Sequence, residues 1–131
     1  KYIDQVMLYN NQSPYTIALI VPNKEALKRK LAFSNLTLDT EEGRKAALKK
    51  MEQELNKYKK GGEFEGMFPE RWLPSTFAIL SEPFTEQNQM INSTMKMVRG
   101  KIEKFYADRI NFLYSSEGKQ IFNEKNLEAI G

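Results

Sequence analysis

The 131-residue chain contains no cysteine and no histidine. Without cysteine there are no disulfides and no thiolate metal sites. Without histidine the chain cannot build a histidine general base, a histidine-held zinc or a Ser-His-Asp triad. Glycine is sparse, and neither G-x-x-x-x-G-K-[ST] nor G-x-G-x-x-G occurs, so a glycine-rich phosphate loop is excluded. No window approaches 18 continuous apolar residues, and no transmembrane segment is expected. Carboxylates are plentiful, yet none forms a recognisable acid–base pair, and no metal site is expected. The net charge of +3 is too mild to name an anionic partner.

What is present is an ordinary globular composition, 40% hydrophobic and 28% charged, fitting a single domain over residues 1–131. The chain opens on Lys1 close to an apolar run, without methionine or a signal-peptide pattern, and reads as a piece of a longer protein. Val6 to Tyr9 and Tyr15 to Val21 flank the turn formers Asn10 to Pro14, which predicts a β-hairpin. The second run is nearly all apolar and suits a central strand covered on both faces. Asn23 can cap a helix reaching about Phe33, with Ala26, Leu27, Leu31 and Phe33 as its apolar positions. Asp39, with Glu42, resembles a capping box for a second helix. That helix carries Ala47, Leu48, Met51, Leu55 and Tyr58 and stops at Gly61-Gly62. Its many lysines read as a solvated face.

The connection from Gly61 to Pro74 holds Phe64, Met67, Phe68 and Trp72, expected as a buried packing cluster. Thr76 to Leu80 predicts a third strand. A last long helix carries Val98, Ile102, Phe105, Tyr106, Ile110 and Leu113 on one stripe. A polar tail follows, with Ile121, Phe122 and Leu127 as anchors. The fold class is therefore α+β, a small sheet of about three strands packed with about three helices. Lys101, Lys104, Tyr106 and Arg109 imitate a basic stripe with aromatics, but Phe105 and Tyr106 are expected to be buried, so no nucleic acid is expected.

Chemistry concentrates at residues 90–114. A polar run, Asn92-Ser93-Thr94, places Lys96 at or just before the helix N-terminus and off its apolar stripe. No carboxylate stands near in sequence, so an exposed ammonium on a mobile segment is expected, free to meet an anion brought by another domain.

The segment Phe84-Thr85-Glu86-Gln87-Asn88, then Ile91 to Arg99, then Ile102 and Tyr106, resembles the C-terminal end of long-chain fatty acid–CoA ligases. There F-T-x-x-N-G leads to T-P-T-L-K-x-K-R and an amphipathic helix. Ser13 to Asn23 is similar to that family's rpy-x-x-alivpn strand, and the resemblance runs from about Tyr2 to about Tyr114. Two positions depart from the pattern: the glycine ending F-T-x-x-N-G is Gln89 here, and the glycine of the superfamily's Ser-Gly-Lys is Met95.

The resemblance implies the C-terminal lid of an AMP-forming, adenylate-forming acyl-CoA synthetase, a domain that rotates over a large N-terminal adenylation domain. It implies Lys96 as the catalytic lysine of acyl-adenylate formation, with Arg99 and Lys101 as secondary candidates for phosphate contact. Lys101, in Gly100-Lys101-Ile102, is the competing lysine; Thr94, Arg99 and the helix register favour Lys96. One preorganised ammonium can supply about 3–4 kcal/mol of transition-state stabilisation. ATP, Mg²⁺ and coenzyme A belong to the parent enzyme and none to the fragment alone, which is expected to be folded and catalytically silent. The expected partners are the N-terminal adenylation domain, a fatty acid and coenzyme A, in a cytoplasmic parent able to sit at a membrane surface. The alternative is a stand-alone basic interaction module for an anionic partner. A lid from a luciferase-like or peptide-synthetase-like enzyme would differ in the acid it serves.

Overall fold

The computed structural model describes residues 2–131. Strand β1 (Ile3–Tyr9) pairs antiparallel with β2 (Ile17–Pro22), which pairs parallel with β3 (Thr76–Ile79). The sheet order is β1-β2-β3, so the predicted α+β class, with a hairpin and one later strand, is what the chain adopts. Asn10 closes the hairpin: its Oδ1 accepts from the Ser13 N–H at 3.0 Å and its Nδ2 donates to the Thr16 hydroxyl at 3.0 Å.

β2 is buried along its whole length because it separates two cores. Side chains alternate across a strand. Ala18 and Ile20 therefore join one core with Leu27, Leu31, Leu48, Met51, Phe77 and Ile79. Ile17, Leu19 and Val21 join the other with Met7, Phe84, Met90, Ile102, Ile110 and Leu113. The first core is roofed by α1 (Lys24–Ala32), α2 (Glu41–Asn56) and α5 (Glu124–Ile130), the second by α3 (Arg99–Phe105) and α4 (Ala107–Phe112).

Asn23 caps α1 as expected, its Oδ1 accepting from the Ala26 N–H at 3.1 Å. Several other expectations are corrected. The cap of α2 is Thr40, whose hydroxyl accepts from Gly43 N–H at 3.1 Å, and not Asp39. Gly43 itself is required there, since a Cβ would lie 1.7 Å from the Thr37 carbonyl oxygen. α2 ends at Asn56, before Gly61, and Phe33 lies beyond α1, exposed.

The last helix is two helices. Tyr106, at φ −102° and ψ 21°, bends the chain between α3 and α4, and Phe105 and Val98 turn outward while Ile102, Ile110 and Leu113 stay in the core. Met67, Phe68 and Trp72 are 60%, 44% and 48% exposed, so the expected buried cluster is an open one. Tyr58 gathers Phe64 and Phe68 at ring-centroid distances of 5.2 and 5.6 Å.

The C-terminal tail is an integral part of the fold. β3 is an edge strand, and an edge presents unpaired backbone groups. The buried amide of Asn126 on α5 satisfies them as a neighbouring strand would. Its Oδ1 accepts from Ile79 N–H at 2.8 Å, and its Nδ2 donates to the Phe77 carbonyl at 2.9 Å and the Ile121 carbonyl at 3.1 Å. Arg109 reaches the same Oδ1 from α4 at 3.1 Å, and burial holds its guanidinium below the usual arginine range. Thr76 adds a buried bond from its hydroxyl to the Gly118 carbonyl at 2.9 Å.

Candidate functional site around Lys96

Residues 85–98 form two turns, each organised by one asparagine. In the first, Thr85 and Asn88 bond each other reciprocally: Asn88 Oδ1 accepts from Thr85 N–H and Thr85 Oγ1 accepts from Asn88 N–H, at 3.0 and 3.1 Å. Asn88 Oδ1 also takes the Met90 N–H at 3.0 Å. The turn places Gln89 at φ 64°, the left-handed region where a side chain is disfavoured and glycine is free. Gln89 Oε1 accepts from Lys101 Nζ at 2.7 Å.

The second turn is a tight hairpin. Ile91 and Met97 form an antiparallel bridge, and Asn92 N–H donates to the Lys96 carbonyl at 2.9 Å. The Asn92 side-chain oxygen accepts from Thr94 N–H, Thr94 Oγ1 and Lys96 N–H at 3.0, 2.7 and 3.0 Å. Met95, at the tip, has φ 65° and is 68% exposed. The hairpin is anchored by its apolar shoulders, Met90 and Ile91, which are buried in the second core.

Lys96 is thus presented by a built turn. Its backbone N–H and carbonyl are both bonded, and it stands three residues ahead of α3, where a mobile lead-in to the helix was expected. Its side chain is exposed, and among the described residues its ammonium enters no ion pair. The other two candidates are tethered. Lys101 is tied to Gln89, and Arg99 donates to the Leu8 carbonyl at 2.5 Å while its Nε lies 3.9 Å from Glu103. Arg99 and Lys101 are thus engaged by partners within the domain. Among the described residues no group of three or more acidic or metal-ligating side chains converges. No helix of the described residues is long and apolar enough to cross a membrane.

The exposure expected of Lys96 is what the structure shows, and the turn that holds it is new to the structure. Asn92 was read as part of a polar run, although an asparagine followed two residues later by a threonine is a turn signal in its own right.

No family model matches the chain. It is 28% identical over 120 residues to long chain acyl-CoA synthetase 8 of Arabidopsis thaliana, matching 87% of this chain and 16% of that protein. It is 27% identical over 123 residues to the carboxylic acid reductase of Mycobacterium tuberculosis, matching 93% of this chain and 9% of that protein. The fold is similar to the adenylation domain of a carboxylate reductase from Mycobacterium chelonae, with a TM-score of 0.57 and 24% identity over 86% of this chain and 16% of the other. It is also similar to the A-PCP didomain of the carboxylic acid reductase from Segniliparus rugosus in complex with AMP, with a TM-score of 0.58 and 25% identity over 86% of this chain and 14% of the other. The chain therefore spans between about a tenth and a sixth of the curated relatives it matches.

Proposed function

From a chain that is related across most of its length to AMP-forming acyl-CoA synthetases and carboxylic acid reductase adenylation domains, we propose the following role. It is the C-terminal lid of a larger acid-activating ligase, and Lys96 is its lysine for acyl-adenylate formation. The observation that carries this reading is the backbone at Met95. Many members of the superfamily have a glycine before this lysine, and here a methionine stands in the left-handed region that glycine enters freely, φ 65°. The residue letter departs while the backbone shape is the one glycine adopts freely. Gln89 repeats the pattern at the F-T-x-x-N-G glycine, φ 64°. Both turns thus suit glycine positions of the family pattern, which supports reading Lys96 as the catalytic lysine.

The chemistry follows from the position. Acyl-adenylate formation brings a carboxylate against an α-phosphate, two groups that repel. A compact ammonium between them offsets that charge without any titratable base, which suits a chain lacking histidine. Lys96 can serve because no carboxylate of its own domain holds it, whereas Lys101 is committed to Gln89. In the parent, ATP would supply the phosphate and coenzyme A the thiol for the second half-reaction, with the metal held by the partner domain. Long-chain fatty acids are the acid class we favour, on the likeness to the plant synthetase. An exposed lysine on a lid can be withdrawn when the lid turns, so its role is confined to the first half-reaction.

In the full-length ligase, Lys96→Ala should slow acyl-adenylate formation about a hundredfold or more. It should spare thioester formation from preformed acyl-adenylate, and Lys101→Ala should change either step little. Measuring the two half-reactions separately decides this. Equal loss in both, or a larger effect at Lys101, would overturn the assignment.

A further inference from the structure

The sheet's first core is not fully roofed. On β1 the side chains of Val6 and Leu8 point toward the α2 face, but α2 stops at Asn56 before covering them. The connection that follows leaves a gap and walls its far side. The result is a cavity of about 550 Å³ whose lining includes Val6, Leu8, Leu55, Tyr58, Phe68 and Trp72. A second cavity of about 260 Å³ continues it, sharing Leu8 and Trp72 and adding Arg99. The two cavities adjoin at Leu8 and Trp72 beside β1, the larger lined mainly by apolar side chains and the smaller holding Arg99.

Charge gives this groove of two adjoining cavities a direction. The carboxylate in the apolar part is Glu54 on α2, paired with Lys57 at 3.1 Å. At the other end Arg99 bonds the Leu8 carbonyl with one nitrogen and lies 3.9 Å from Glu103 through another. A guanidinium has five N–H donors in a fork that fits a carboxylate, so capacity remains. Pockets of a few hundred Å³ that are mostly apolar, with few polar groups, are the usual shape of small-ligand sites.

We infer that this groove binds a single-chain amphiphile with a carboxylate head, its hydrocarbon lying along Val6, Leu8 and Phe68 and its head at Arg99. The inference does not rest on the adenylation reading, although Arg99, the cationic end, follows Lys96 by three residues. It is a place where the chain holds an acyl chain without transforming it.

Trp72 is the single tryptophan of the chain and forms part of the wall, so its fluorescence reports occupancy directly. The 131-residue chain is titrated with saturated fatty acids of increasing length, each below its micellar concentration. Dodecanol, dodecyltrimethylammonium and neutral phospholipid vesicles serve as comparisons. We expect saturable binding that tightens about fourfold per added methylene and then levels off once the groove is filled. Arg99→Gln should weaken dodecanoate about tenfold and leave dodecanol unchanged. Phe68→Ser, on the exposed wall, should weaken both, with circular dichroism confirming that the fold is kept. The inference is overturned by the absence of a saturable Trp72 response, by equal affinity for the carboxylate and the trimethylammonium, or by a response to vesicles alone, which would mark a membrane-facing surface instead.

Discussion

The two outer edges of the sheet are treated in opposite ways. On β3 the edge is closed by side chains: Asn126 supplies the donor and acceptor of an absent fourth strand, and Thr76 is bonded to Gly118. On β1 the edge is left largely open, with Arg99 reaching the Leu8 carbonyl and aromatic side chains standing off at a distance. The difference shows what apolar content alone does not decide. Residues 57–74 carry more large apolar side chains than residues 115–131, yet the second segment is the one drawn into the core. A buried amide with three backbone partners fixes its segment in the core, whereas Phe68 and Trp72 stay half-exposed over a gap even though the Thr16 hydroxyl donates to the Arg71 carbonyl at 2.7 Å.

The largest way to break this contrast is Asn126→Leu. It keeps the volume but strips the partners from Phe77, Ile79 and Ile121. Unpaired buried backbone groups cost about 1–3 kcal/mol each, so a loss of at least about 3 kcal/mol is expected, a fall of roughly 10 °C in melting temperature. An unchanged melting curve would show that the β3 edge does not need the amide.

A smaller effect is expected between the edges. Tyr15 donates to the Leu113 carbonyl at 2.6 Å and Tyr114 donates to the Tyr15 carbonyl at 3.1 Å, tying the start of β2 to the end of α4. Burial raises both phenols above the usual tyrosine value. The neutral form is thus favoured in the folded chain. Its stabilisation is complete below the unfolded value of about 10 and is lost as pH rises through the higher folded values. Melting temperature should therefore decline above about pH 10, and Tyr15→Phe should flatten part of that decline. A wild-type profile that Tyr15→Phe leaves unaltered would remove the clamp from the account.

The smallest stability effect belongs to the open edge. Arg99→Gln removes an exposed contact and should cost within about 0.5 kcal/mol by chemical denaturation. A cost near that of Asn126→Leu would mean that both edges are closed by their side chains alike.

How much of this was legible in the sequence follows from the range of each interaction. β2 was readable because a strand buried on both faces is an unbroken apolar run, and Asn23 because a cap acts on residues three positions away. The exposure of Lys96 was readable from the polar run around it and the lack of nearby carboxylates. Asn126 was not readable as a core residue, since its partners Phe77 and Ile79 lie 49 and 47 residues away. Even so, Asn123 followed by Leu127 and Ile130 at helical spacing was a local sign of α5, with Asn123 as its cap. Phe33, Phe105, Phe68 and Trp72 were misplaced for one reason. Periodicity shows which residues share a face but not whether anything covers that face. The bend at Tyr106 was missed because the apolar stripe continues through it.

Met95 and Gln89 carry a consequence for how relatives of this chain are recognised. Each costs on the order of 1 kcal/mol for holding a side chain where glycine would be free, a sum that one well-packed core can tolerate. Such positions can therefore drift in residue type while the loop keeps its path. A signature spelled in amino-acid letters loses the chain at the two places where its turns are most tightly specified. A signature spelled in backbone angles would keep it.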